Sequence, residues 1–247
     1  MDNTIIIPTY NSVHGLSECI RSVKAHTDEA DLARTEILVV ANGCRDGTED
    51  YVRSLGDVRL LSFPDPMGFT GATNEGIRAS DAKRVILLND DCVILDWGGN
   101  WIRMLEAPFD SEPAMAVTGS NRDVWRRGDY FIVFCCSMLR RDVLDELGLL
   151  DMAFNPGCGE DADFCLKARA RGYKTRQVPV EHDHWRTAFP LWHVGHMTIC
   201  RLAGFKEVAT RNTGILEERY PRTDEDRALQ KAFSDGLQND AIWAKKA

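Results

Sequence analysis

The 247-residue chain has no apolar run long enough to cross a bilayer. Ile5-Ile6-Ile7 is too short for the apolar core of a signal peptide, and no later stretch approaches the roughly 18 to 20 apolar residues that a span requires. A soluble, unexported, cytoplasmic chain is therefore expected. Paired Cys-x-x-Cys spacing is also missing. The eight cysteines include the adjacent Cys135 and Cys136, with Cys44, Cys92 and Cys165 among apolar or turn residues, so they read as reduced thiols. Positive charge is in short supply: the formal net charge of −8 argues against a nucleic-acid-binding surface, although Arg126-Arg127 and Arg140-Arg141 offer local basic clusters for an anionic ligand. There is no internal repeat and no low-complexity linker, and the length suffices for one large α/β domain, or one and a half, with ample material for a core.

What is present is an alternation of short apolar runs and helix-like stretches, the pattern of successive βα units around a mostly parallel sheet. Strands are expected at 4–8, 36–40, 58–63 and 84–88, with helices at 16–26, 48–55 and 70–79. Further on, the pattern gives a helix at 97–105, strands at 116–119 and 130–139, and a helix at 141–147 stopped by Gly148. From Phe189 the chain reads as mostly helical. The amphipathic stretch 199–208 is expected as a packed helix, with peripheral membrane contact as the other reading.

In open α/β sheets, ligands bind beyond the carboxyl ends of the strands. There the sequence places Pro8-Thr9-Tyr10-Asn11, then Ala41-Asn42-Gly43, then Gly68-Phe69-Thr70-Gly71 leading to Asn74, and finally Asn89-Asp90-Asp91. Glycines in such loops let backbone amides approach phosphate, and each loop alone is also ordinary turn chemistry. An apolar strand that runs into adjacent acids is a place to hold a hard divalent cation, Mg²⁺ or Mn²⁺.

A second acidic cluster, Glu160-Asp161-Ala162-Asp163, opens a helix expected to end at Gly172. Asp161 shares a face with Phe164, Cys165 and Ala168, while Asp163 and Lys167 form an i, i+4 pair of the surface kind. The helix dipole favours an ionised Asp161, which suits a general base, though acids are common in first turns for that reason alone. Val178, Val180, His182 and His184 alternate along an expected strand, and His184 is the favoured partner for a metal at Asp91, with His182 as the alternative. His193 and His196, at helical spacing, read as packing or solvent-facing residues. Trp125 and Trp185 are expected near the pocket mouth, where aromatic faces suit sugar rings.

Taken together, Ile7-Pro8-Thr9-Tyr10-Asn11, the 39–48 turn, Gly68-Phe69-x-Gly71-Ala72-x-Asn74, Leu88-Asn89-Asp90-Asp91, Arg140-Arg141-Asp142 and Gly157-x-x-Glu160-Asp161-x-Asp163 resemble the inverting, nucleotide-sugar-dependent glycosyltransferases of family 2, which have the GT-A fold. The resemblance implies a glycosyltransferase domain over 1–188, with a donor half at 1–95, an acceptor half at 96–188 and a helical extension at 189–247. It implies that Pro8, Thr9, Tyr10, Asn11, Ala41, Asn42, Gly68, Phe69, Gly71, Asn74, Asn89 and Asp90 line the donor site. Asp91 and His184 would hold Mn²⁺ or Mg²⁺, Asp161 would be the catalytic base, and Trp125, Glu160 and Trp185 would face the acceptor. The expected donor is a UDP-sugar and the acceptor a carbohydrate or other hydroxyl compound. Three positions depart from the family pattern: Ala41 replaces an aspartate that receives the nucleobase, Asn89 replaces the first acid of the metal motif, and Cys135-Cys136 stand where a small glycine is usual. A nucleotidyltransferase would be expected to carry a basic glycine-rich loop after the first strand, which Thr9-Tyr10-Asn11-Ser12 does not supply. A binding module without turnover is the third reading, and the presence of both Asp91 and Asp161 weighs against it.

Overall fold

The computed structural model describes residues 1–96, 100–178, 189–194 and 204–244. Its centre is a seven-stranded sheet. The first half of the chain supplies β1 (Asn3–Thr9), β2 (Thr35–Asn42), β3 (Arg59–Phe63) and β4 (Arg84–Leu88), with α1 (Val13–Ala25), the short α2 (Glu29–Leu32), α3 (Thr48–Leu55) and α4 (Gly68–Arg78) between them. Apart from α2, which the sequence pattern does not predict, these elements match the expected ones to within three residues at every end. A short strand β5 (Cys92–Ile94) and helix α5 (Trp101–Ser111) follow, then β6 (Met115–Gly119), a hairpin of β7 (Arg122–Arg126) and β8 (Asp129–Ile132), and β9 (Cys136–Arg140). The chain continues through α6 (Arg141–Leu147), α7 (Glu160–Ala170), β10 (Lys174–Gln177), β11 (Leu191–His193), α8 (Phe205–Arg219) and α9 (Asp224–Ala244).

The order across the sheet is β10-β6-β9-β4-β1-β2-β3, parallel except for β9, which runs antiparallel to both β4 and β6. Side chains of a strand alternate between faces. Ile5, Ile7, Val39, Ile86 and Leu88 accordingly join one core with α1 and α5, while Ile6, Leu38, Val40, Val85 and Leu87 join another with α4, α6 and α7. Burial on both faces explains why these strands read as unbroken apolar runs.

Two expectations change. The run at 130–139 is two strands, because β8 pairs with β7 in the hairpin and the chain then turns at 133–135 before β9 enters the main sheet. The segment after Phe189 begins with a strand, since β11 pairs antiparallel with β5. Among the described residues no helix is long and apolar enough to cross a membrane.

Candidate active site

The chain lays β2 and β3 on one side of β1 and then crosses back to lay β4 on the other, so the switch point of the topology falls between β1 and β4. Such points open a crevice beyond the strand ends. Here β1 pairs with β4 only as far as Ile6 and Leu87, while its pairing with β2 continues to Thr9 and Ala41. Beyond that parting, Thr9 Oγ1 donates to Asp90 Oδ2 at 2.7 Å, and Ser12 also hydrogen-bonds Asp90. Burial pushes the Asp90 carboxyl up to about 6, aided by the neighbouring Asp91 and opposed by those two hydroxyls.

Asp91 is nearly buried, and His193 Nε2 lies 3.1 Å from its Oδ1. The strand pairing that delivers His193 is closed by its own neighbour, for Val194 N donates to Asp91 O at 3.1 Å. Burial opposes a charge on His193, but Asp91 and the Cys135 thiol beside it outweigh that and push its pKa up to about 10. Asn89 adds a buried side-chain oxygen with no hydrogen-bond partner among the described residues, while its amide nitrogen lies 3.5 Å from His193 Nε2. A carboxylate, an imidazole and an unspent amide oxygen fit a divalent cation. His193, read from spacing as a packing or solvent-facing helical residue, is thus a histidine that the fold brings to Asp91, among the described residues. His182, His184 and Trp185 lie outside the described residues.

The loops around this crevice hold one another. Asn11, at a φ of 49°, accepts Arg45 N through Oδ1 at 2.7 Å, and Asp46 accepts Val13 N at 2.9 Å. Pro8 and Thr9 are buried, Tyr10 is half-buried, and Ala41 is fully buried with only a methyl to offer. Asn42 accepts Met67 N at 2.7 Å and reaches Gly68 O at 3.3 Å. The 68–74 segment faces the 150–156 loop instead of open space: a Cβ on Gly68 would lie 2.3 Å from Asn155 Oδ1, and Phe69 N donates to Pro156 O at 2.7 Å. Gly71 N points to the same Asn155 oxygen at 3.4 Å. Asn74, expected at the donor, is buried and grips Leu150 from both ends, Nδ2 to O at 2.8 Å and Oδ1 from N at 3.0 Å. Its amide is committed to the fold.

The second acidic cluster opens α7 after Gly157, Cys158 and Gly159, all at positive φ. Asn212 of α8 holds that loop by donating to the carbonyls of Phe154, Gly157 and Cys158 at 2.8–2.9 Å. Asp161 accepts the N–H of Ala162 at 2.7 Å and also that of Phe134, and burial nevertheless pushes its carboxyl up to about 6. Glu160 is buried more deeply, with Oε2 unpartnered among the described residues; burial and the adjacent Asp161 raise it to about 8. Two neighbouring carboxyls that cannot both ionise cheaply leave Asp161 as the one that sheds its proton first. Asp163 corrects the sequence reading, for it is buried and takes Arg219 at 2.8 Å and Tyr220 Oη at 3.2 Å. Lys167 stacks on Phe164 instead.

Asp161 lines a cavity of about 160 Å³ together with Trp125, Thr213, Arg222 and Gln230. Trp125 is buried rather than set at an open mouth: its Nε1 donates to Tyr220 O at 2.9 Å, and the Arg222 guanidinium sits 3.9 Å above the ring. Residues 133–135 join the two acidic centres, since Phe134 N reaches Asp161 and Cys135 O accepts Asn89 N at 2.9 Å.

The family model described as glycosyl transferase family 2 matches residues 4–124. The chain carries a family 2 glycosyltransferase domain. Over 93 residues this domain is 30% identical to Glycosyltransferase AglE of Haloferax volcanii, covering 36% of the chain and 30% of that protein. The curated relatives it matches are longer; the matched segments span 23% to 44% of their lengths. A mannosyltransferase of Pyrobaculum calidifontis in complex with GDP-Man and Mn²⁺ superimposes with a TM-score of 0.62 at 14% identity, covering 99% of this chain and 83% of that one. TarS of S. aureus in complex with UDP-GlcNAc gives 0.57 at 16% identity over 76% of this chain and 62% of that one. The family 2 domain therefore has the GT-A fold, with the parting of β1 and β4 at its centre.

Proposed function

We propose that the chain transfers a sugar from a nucleoside diphosphate donor to a hydroxyl acceptor in one displacement that inverts the anomeric centre. The observation that carries this reading is the pairing of two acidic centres through residues 134–135: Asp90 and Asp91 at the β1/β4 crevice, and Asp161 beside its own cavity. A divalent ion of the Mg²⁺ or Mn²⁺ class, held by Asp91 with His193 and Asn89 at hand, would offset diphosphate charge. The chain's own residues do the rest. Thr9 and Ser12 fix the Asp90 carboxylate at the crevice, where it can accept hydroxyls of the donor. Asp161, with a pKa raised toward neutrality, takes the acceptor's proton as that oxygen attacks. The cavity at Asp161, of about 160 Å³, has room for the reacting end of an acceptor.

UDP is the first donor nucleotide to test, and GDP is its competitor. The neighbours named above include one with each. A thermal-shift screen of UDP, GDP and their sugars, with and without Mn²⁺, tests the reading, because a ligand that binds only the native state raises its apparent stability. Failure of every nucleoside diphosphate to shift the transition in the presence of Mn²⁺ would remove the donor assignment. The reaction is expected to run in the cytoplasm.

A further inference from the structure

The donor reading leaves Cys92 unused. This residue follows Asp91 directly, opens β5 and is fully buried. Its sulfur, an Asp91 carboxylate oxygen and a His193 ring nitrogen all lie within 4.8 Å of one another. The Cys92 thiol donates to the carbonyl of Cys135 at 3.3 Å, and the Cys135 thiol behind it is ringed by Ser120 Oγ at 3.8 Å and Asn121 Nδ2 at 3.7 Å. Oxygen, nitrogen and sulfur donors from β4–β5 and β11 thus converge at one place.

Hard cations such as Mg²⁺ and Mn²⁺ have little use for the sulfur. Carboxylate, imidazole and thiolate together are the ligand types of Zn²⁺, and sulfur selects the softer ions. Four-coordinate zinc, with bonds of roughly 2.0–2.3 Å, sets neighbouring ligand atoms about 3.3–3.8 Å apart. The three donor atoms here need to close by about 1 Å or a little more at the widest pair, a distance that side-chain torsions supply.

We propose that Asp91, Cys92 and His193 form a site for a thiophilic divalent cation of the Zn²⁺ class. Cys92 binds it as thiolate, releasing its proton to solvent. The site shares Asp91 and His193 with the donor cation and adds Cys92, but does not depend on sugar transfer. Where transfer occurs, an ion drawn onto Cys92 competes with the harder ion for Asp91 and His193, so zinc-class ions inhibit.

Cadmium is the probe, used alone with the full chain and no nucleotide. Ultraviolet absorption from thiolate-to-cadmium charge transfer should rise and saturate at one ion per chain, be displaced by Zn²⁺, and yield to Mn²⁺ only at far higher concentration. Cys92→Ser should lose the band, whereas Cys44→Ser and Cys158→Ser, at more exposed thiols, should keep it. His193→Ala carries the test should Cys92→Ser fail to fold; its half-saturating Cd²⁺ concentration should rise on the order of tenfold or more. No band in the wild-type chain, or one unchanged in the Cys92 or His193 variant, overturns the proposal. Because no nucleotide is present, absence of transferase activity leaves this result standing, and the two readings fail separately.

Discussion

The backbone N–H of Phe134 is hydrogen-bonded to the Asp161 carboxylate, one residue before the Cys135 carbonyl takes the N–H of Asn89. A three-residue turn therefore sets the spacing between the proposed base and the acids of the donor crevice. Burial raises the Asp161 pKa to about 6 in spite of two N–H donors, so the group is mostly ionised at neutral pH and remains a competent proton acceptor.

Asp161→Asn keeps the size of the side chain but cannot take the proton. Donor binding measured by calorimetry should stay close to wild type while transfer falls by roughly 10²- to 10⁴-fold. In the wild type, transfer at saturating donor should decline as pH drops through about 6, where Asp161 becomes protonated. An Asp161→Asn enzyme with near-normal turnover, or a product of retained anomeric configuration by NMR, would remove the single-displacement mechanism.

His193→Ala and Asp91→Ala should each weaken Mn²⁺-dependent nucleotide binding on the order of tenfold or more, with the fold intact by circular dichroism. Calorimetry with and without Mn²⁺ separates this from a general loss of affinity. If His193→Ala binds with undiminished metal dependence, the imidazole 3.1 Å from Asp91 is a structural partner only.

Ala41 is fully buried and offers only a methyl at the position where the family resemblance implies an aspartate that receives the nucleobase. A side-chain hydrogen bond of that kind contributes on the order of 1 kcal/mol, somewhat under tenfold in affinity. Competition among UDP, GDP, CDP and dTDP should therefore show modest discrimination. A thousandfold preference would mean that another residue reads the base.

Glu160 gives a pH test of stability. Its folded pKa is raised from the ordinary 4.5 to about 8, so burial costs nothing while both states are protonated and progressively more as pH climbs between those values. Glu160→Gln should match wild type near about pH 3.5, below the ordinary carboxyl value, and exceed it above about pH 8, by roughly 1–3 kcal/mol. Denaturant melts at the two pH values decide it; an equal gain at both would place the effect elsewhere.

Much of this architecture was readable in the residues. β1, β2 and β4 announce themselves as apolar runs because both faces of the sheet are covered, and Asp91 and Asp161 stand out because each sits at the end or start of such an element. What escaped has a common cause in partners distant along the chain. The 130–139 run breaks because the backbone of 134 and 135 is spent on Asp161 and Asn89. Asp163 fits an i, i+4 pair with Lys167, yet Arg219 of α8 claims it. His193 and His196 have helical spacing, but pairing of β11 with β5 overrides it for His193. Asn74 looked like a donor-site polar residue because its two bonds to Leu150 leave no mark in local sequence.

The three bonds from Asn212 to the carbonyls of Phe154, Gly157 and Cys158 bear on where this protein can be cut. A fragment ending at 188, where the sequence pattern invites a boundary, would strip the loop before Asp161 of its donors and remove the strand that carries His193. Modularity by sequence is thus not modularity by structure: the last quarter of the chain behaves as a keystone, and domain exchange with a relative would have to carry it along.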